Sequence, residues 1–202
     1  MSRLLIHDID DFYAKEVLKN VPADFDIVQA FHPIAHCVGC FGCWVRTPGR
    51  CVIDDAARDF VVKTAYVDEL IIISRLSYGG LSPDIKAYMD RSIPVLQPFF
   101  EIRDNVMRHP SRTGKPTELT YYFYSDTAGK ADSEVDIKKE WDSPLMEIAA
   151  DNTADPGDSL HPSEDELYVM KRLAEANGKN LGAESVNVTY IGDMFAVKDL
   201  EL

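Results

Sequence analysis

A strand whose successive residues are all apolar has no face to give to water, so it must be covered on both sides. Glu69-Leu70-Ile71-Ile72-Ile73-Ser74 is such a run. It is short, rich in β-branched residues and bounded by polar positions, which favours a strand over a helix. A strand of this kind demands a central place in a sheet layered by helices, and the rest of the chain supplies the alternation. Further strands are expected at Arg3 to His7, Phe25 to Ala30, Glu118 to Tyr124 and Val186 to Ile191. A helix of about ten residues should start near Phe12 and stop at Pro22. A second should run from Asp54-Asp55 to about Val67, and a third from Pro83 to about Ser92 with Ser82 as its cap. A last helix opens on the capping box Ser163 to Glu166 and ends near Asn177-Gly178. The fold class is therefore α/β, a doubly wound five-stranded parallel sheet of order 2-1-3-4-5 with helices on both faces.

With 202 residues and 46% hydrophobic content, residues 1–202 suffice for one core and require no second domain. Ile93 to Phe100, apolar but broken by Pro94 and Pro98, reads as a segment to be buried at a subunit contact. Ile102 to Thr117 reads as a polar loop. From Asp132 to Glu166 twelve acidic residues face two lysines, so about 127–162 reads as a solvated acidic insertion, with one short helix around Trp141, Leu145, Met146 and Ile148. The formal net charge of -13 repels phosphate backbones and anionic lipid, which disfavours nucleic acid and membrane surfaces as partners. No apolar run approaches the ~20 residues of a membrane span, and the expected setting is cytoplasmic with reduced cysteines.

All four cysteines fall in one stretch, CVGCFGCWVRTPGRC, as Cys37, Cys40, Cys43 and Cys51. Their spacing, C-x2-C-x2-C-x7-C, lets thiolates converge on one centre, as in ferredoxin-type 4Fe-4S motifs. Zinc, and thiols that are packed, redox-active or vestigial, remain alternatives.

In an open parallel sheet, ligands bind at the carboxyl ends of the strands where the strand order reverses. His7 to Asp11, the cysteine loop, Arg75 to Gly80 and Ser125 to Thr127 all fall there. The cysteine loop with its GCFGCW and PGRC, followed by IISRLSYGGLSPDIKAYMDRSIP, resembles the NAD(P)H-dependent FMN reductase and iron-sulfur flavoprotein branch of the flavodoxin-like superfamily. The likeness runs from about Cys37 to Phe100, and EANGKNLGA near the last helix extends it more weakly. It implies a flavodoxin-like fold, FMN contacts from Ser74, Arg75, Leu76, Ser77, Tyr78, Gly79 and Gly80, and a homodimer or larger assembly. Read physically, Gly79 and Gly80 free backbone amides for a polar ring edge and Tyr78 offers a stacking face; an ordinary tight turn would look the same. Lys86, Asp90 and Arg91 read as helix-surface ion-pair partners.

One stretch departs from the family pattern. The loop after the first strand, where phosphate should meet hydroxyls and amides at a helix N-terminus, reads His7-Asp8-Ile9-Asp10-Asp11. Its carboxylates repel a dianion, and His7 reads as a packed or capping residue. The expected function is a flavin oxidoreductase passing electrons from reduced nicotinamide, NADH or NADPH, to an acceptor. No catalytic residue is named, because the flavin carries the chemistry. The alternative is a non-enzymatic flavodoxin-fold protein that has lost flavin and acts as a binding or metal-holding subunit.

Overall fold

The computed structural model describes residues 1–30, 34–115, 117–125 and 162–202. Asp126, Thr127, the acidic stretch and the helix expected around Trp141 lie outside the described residues. Strands β1 (Arg3–His7), β2 (Phe25–Gln29), β3 (Glu69–Arg75), β6 (Glu118–Ser125) and β7 (Ser185–Asp193) form one sheet of order β2-β1-β3-β6-β7, parallel throughout. This is the 2-1-3-4-5 order expected above. The short β4 (Glu101–Arg103) and β5 (Val106–Arg108) pair antiparallel as a separate two-stranded unit.

Alternation along the central strands sorts the core into two layers. Leu4, Ile6, Leu70, Ile72, Leu119, Tyr121 and Phe123 face α3 (Ala56–Thr64), α4 (Pro83–Asp90) and α5 (Glu164–Leu181). Leu5, Ile71, Ile73 and Tyr124 face the other way, onto α1 (Asp11–Val17) and a 3-10 helix at Met194–Asp199. Every residue from Leu70 to Ser74 is buried, which is why Leu70 to Ile73 carries no polar position.

Three expectations need correction. The segment Ile102 to Thr117 is not simply a polar loop: Asp104 and Asn105 both adopt positive φ, 54° and 59°, and close β4 on β5 as a two-residue hairpin turn. Ile93 to Phe100 is divided. A 3-10 turn at Ile93–Val95 with buried Pro94 packs within the chain, whereas Phe99 and Phe100 stay 66% and 67% exposed. The last helix does not end at Gly178 but continues to Leu181, capped by Gly182 in left-handed geometry.

Gly178 is buried because β7 comes too close for a side chain: a Cβ there would collide with Val186 and meet Leu119 Cδ2 at 3.4 Å. Gly178→Ala, a change that gains about 1 kcal/mol in an open helix interior, should therefore lower stability by about 1–2 kcal/mol. Val186→Ala in the same chain should recover part of that loss, and a double-mutant cycle in urea measures both.

Candidate functional site

The carboxyl edge of the sheet is tied together by polar groups from neighbouring strands. Asp8, one residue past β1, accepts from the Arg75 amide at 3.1 and 3.0 Å and from the Tyr124 hydroxyl at 2.9 Å, so it straps β1 to β3 and β6. Burial pushes its carboxyl above the usual carboxylate range, partly offset by these donors. His7 is buried, and its Nδ1 accepts from the Ile9 amide at 3.2 Å. Asp10 caps α1 by accepting from the Phe12 amide at 2.8 Å, and Asp11 is exposed in the first turn. The acidic loop thus turns one carboxylate inward, spends one on the helix end and leaves one in water.

Across the edge, the end of β3 runs into a tight turn. The Ser77 amide donates to the Gly80 carbonyl at 3.0 Å and the Gly80 amide returns to Ser77 at 2.9 Å. Tyr78 and Gly79 at its tip have φ of 50° and 73°. Tyr78 is 99% exposed, although a side chain in left-handed backbone is strained. The Gly79 amide donates to Glu166 of α5 at 3.1 Å, so the capping-box glutamate reaches across to this turn. The Leu76 amide donates to the Tyr124 carbonyl at 2.7 Å. Ser74 is buried, its hydroxyl donating to the Arg75 carbonyl at 3.0 Å and accepting from the Ser82 amide at 2.9 Å. Of the seven residues named for a flavin, Tyr78 is thus the fully presented side chain, while the amides of Arg75, Leu76, Ser77, Gly79 and Gly80 already donate within the chain. Phe12, 81% exposed at the start of α1, is a further aromatic near this edge; its role as α1's opening apolar residue hid it in the sequence.

FMN fits this edge in part. The turn offers its ring an exposed aromatic face. For its phosphate, the start of α1 offers a bound carboxylate and a second one in solvent.

The cysteines form the second centre. Cys37, Cys40, Cys43 and Cys51 are free thiols and line one small cavity of about 20 Å³, together with Arg91. Burial raises the Cys43 thiol, and the neighbouring Cys51, Cys40 and Cys37 raise it further. The short α2 (Gly42–Val45) gives the loop its shape: a Cβ at Gly42 would meet Val52 Cγ1 at 2.7 Å. Trp44 locks α2 onto the body through its indole N–H, which donates to Leu96 and Ile93 carbonyls at 3.1 and 3.3 Å. As donors, four thiols on one cavity suit iron or zinc. Their present spacing does not: among the described residues, no group of three or more His, Cys, Asp or Glu stands ready to hold a metal.

Arg91 is not a surface partner, unlike Lys86 and Asp90, which do pair on the surface at 2.5 Å. Its side chain has no exposed area. Nη1 donates to Asp55 at 2.5 Å and the Ala35 carbonyl at 3.0 Å; Nη2 donates to Cys51 Sγ at 3.3 Å and the Ile53 carbonyl at 3.1 Å.

No protein-family profile matches the chain. Over 70 residues it is 36% identical to an iron-sulfur flavoprotein of Methanocaldococcus jannaschii, a match covering 35% of each protein; the chain thus matches about a third of that relative's length. Among solved structures it resembles an NAD(P)H:quinone oxidoreductase from Methanothermobacter marburgensis, with a TM-score of 0.53 and 11% identity over 95% of this chain and 83% of that one. The fold is flavodoxin-like. An FMN-dependent NADH-azoreductase from Bacillus anthracis also aligns, at a TM-score of 0.48 and 11% identity over 98% of this chain and 92% of that one.

Two outcomes follow from these contacts. Arg91→Met should cost about 3 kcal/mol, because Asp55 and three acceptors in part-buried hydrogen bonds lose their donor, read as a fall in the urea midpoint. His7 is lowered by burial from 6.5 to about 4, the opposing influence of Asp11 being smaller. The unfolded chain therefore takes up the proton first, so the stability His7 contributes is whole above about pH 6.5 and is lost as pH falls toward 4, about 3 kcal/mol in all. In His7→Asn that share of the acid sensitivity should vanish; parallel stability curves for native and variant from pH 7.5 to 4 would show that His7 titrates normally.

Proposed function

We propose that the protein is a flavin-dependent oxidoreductase that binds FMN with its ring against Tyr78 and the Ser77 to Gly80 turn. It takes electrons from NADH or NADPH and passes them to a small acceptor. Cys37, Cys40, Cys43 and Cys51 draw together around an iron-sulfur (4Fe-4S) centre in the same reading. The observation that carries it is Tyr78: strained backbone and an unburied aromatic side chain are kept where a ligand uses them, here at the carboxyl edge of an open parallel sheet. The partial likeness to an iron-sulfur flavoprotein supports both centres.

When bound, FMN supplies the hydride and single-electron chemistry. The chain's share is placement. Tyr78 gives the ring a face, Asp8 fixes the spacing between the β1 and β3 loops that flank it, and Arg91 anchors the Cys51 end of the cysteine loop. The acidic start of α1 weakens the hold on phosphate. The exposed Phe99, Phe100, Ile102, Val106 and Met107 form the contact of a homodimer, and the expected compartment is the cytoplasm. Among the described residues, no helix is long and apolar enough to cross a membrane.

Anaerobic purification with iron analysis, followed by FMN titration through fluorescence quenching, tests the reading. Coloured, iron-containing protein that binds FMN is expected. Asp10→Thr with Asp11→Ser keeps a capping hydroxyl, removes two charges and should tighten FMN about fivefold. Tyr78→Gly should weaken FMN about fivefold through lost stacking, while raising stability by a few tenths to about 1 kcal/mol by relieving the left-handed strain. A colourless, iron-free protein that leaves FMN fluorescence unquenched would instead support the non-enzymatic binding or metal-holding subunit.

A further inference from the structure

Arg91 uses both ends of its guanidinium fork behind the cysteine loop. Nη1 has two acceptors, Asp55 and the Ala35 carbonyl, and Nη2 has two more, the Ile53 carbonyl and Cys51 Sγ. Three of the four are oxygens, and they fix the plane of the group. The direction of the N–H that reaches Cys51 is therefore set by neighbours other than the sulfur, a planar, many-point hold that arginine provides and lysine does not. The side chain has no exposed area, so water does not compete for the bond and the low local dielectric strengthens it. Arg91 needs no opening to act, because the sulfur it already touches belongs to the centre.

Charge around the loop points the same way. The chain has 34 acidic residues in 202, yet from His36 to Ile53 it places none, and that stretch carries Arg46 and Arg50. Arg112 lies against it, since a Cβ at Gly49 would meet Arg112 Cδ at 3.2 Å. Asp55, just after the loop, is matched by Arg91. Four thiolates give a centre negative charge that an added electron increases, and the field of a chain with net charge -13 opposes the addition. A directed donor on one sulfur offsets that cost where it arises.

We propose that Arg91 sets the reduction potential of the iron-sulfur centre, by holding an N–H on Cys51 Sγ that favours the form with the additional electron. This rests on the reading of the four cysteines as such a centre. Hydrogen bonds to the ligand sulfurs are among the factors that fix these potentials. Arg91 is a positioning residue that works through Cys51. Uptake of one electron, from a one-electron reductant such as dithionite, forms and breaks no bond here, and the proton stays on Nη2.

The full chain, reconstituted anaerobically with iron and sulfide, tests this by EPR-monitored redox titration. Arg91→Lys keeps a cation for Asp55 but loses the fork, and should hold the added electron about tenfold less well, a potential lower by about 59 mV for a one-electron couple. Lys86→Met, which removes a cation from the exposed face of the same helix, should leave the potential unchanged. Pulsed EPR of the reduced native protein grown on 15N-arginine should show a nitrogen coupling, and this measurement stands even if the lysine variant does not fold. A native chain that takes up no iron would overturn the reading of the cysteines, and the proposal with it. With iron bound, three results would each overturn the proposal alone: an unmoved potential in Arg91→Lys, an equal fall in Lys86→Met, or no arginine coupling in the native protein.

Discussion

A guanidinium with no exposed area has to find its countercharge and acceptors inside the chain, and Arg91 finds them on three separate segments. Asp55 begins α3, Ala35 precedes the cysteine loop, and Cys51 and Ile53 end it. Removing such a charge from water is costly, and good geometry with nearly every donor engaged is what offsets the cost. Arg91 Nε is left without a partner among the described residues, so the site is not fully satisfied. The cysteine loop consequently has its shape set from behind, by a residue that is not a cysteine. Trp44 adds a second anchor, stacking near Phe41 and His109 with centroids 5.2 and 5.0 Å away.

The carboxyl edge follows a similar logic with the opposite charge. Asp8 is an acid where a phosphate-binding loop would show hydroxyls, yet it points at the Arg75 amide and the Tyr124 hydroxyl, and so acts on the sheet and not on a ligand. Much of the backbone that resemblance assigns to a ring edge is likewise engaged: the turn pairs with itself, with Glu166 and with Tyr124. What remains for a ligand is shape and aromatic surface. That favours recognition by stacking and disfavours recognition by charge.

How much of this could be read from residues alone depended on the range of the interaction involved. The central strand, the sheet order and the caps at Ser82, Asp55 and Ser163 are local or periodic signals, and they carried the fold. The hairpin at Asp104-Asn105 had a signal that went unread, two residues tolerant of left-handed backbone between Ile102 and Val106. The true end of α5 was hidden because Gly178 looks like a helix stop until Val186 is seen pressing on it. Arg91 looked like one half of a surface pair because i, i+4 spacing describes Lys86 and Asp90 beside it; its burial comes from a loop 40 residues earlier. Asp8 was legible as an acid but not in its direction, which only the neighbouring strands decide. The clustering of the cysteines was plain, whereas their distances from one another depend on packing that spacing does not encode.

Helix α4 joins the two centres. Its first turn is fixed by Ser82, whose amide is bound to Ser74 under the Tyr78 turn, and its last residue is followed by Arg91 under the cysteines. Eight helical residues make a rod about 12 Å long, with its proline at the first position and no glycine inside. Such a rod has no joint. If the thiols close around an ion, the pull on Arg91 is a push or a turn of the whole rod, and the aromatic tip at the far end shares it. If the cysteine loop holds an ion and the Tyr78 turn a ligand, as proposed, the two events would be linked through the pitch and position of the same two turns of helix.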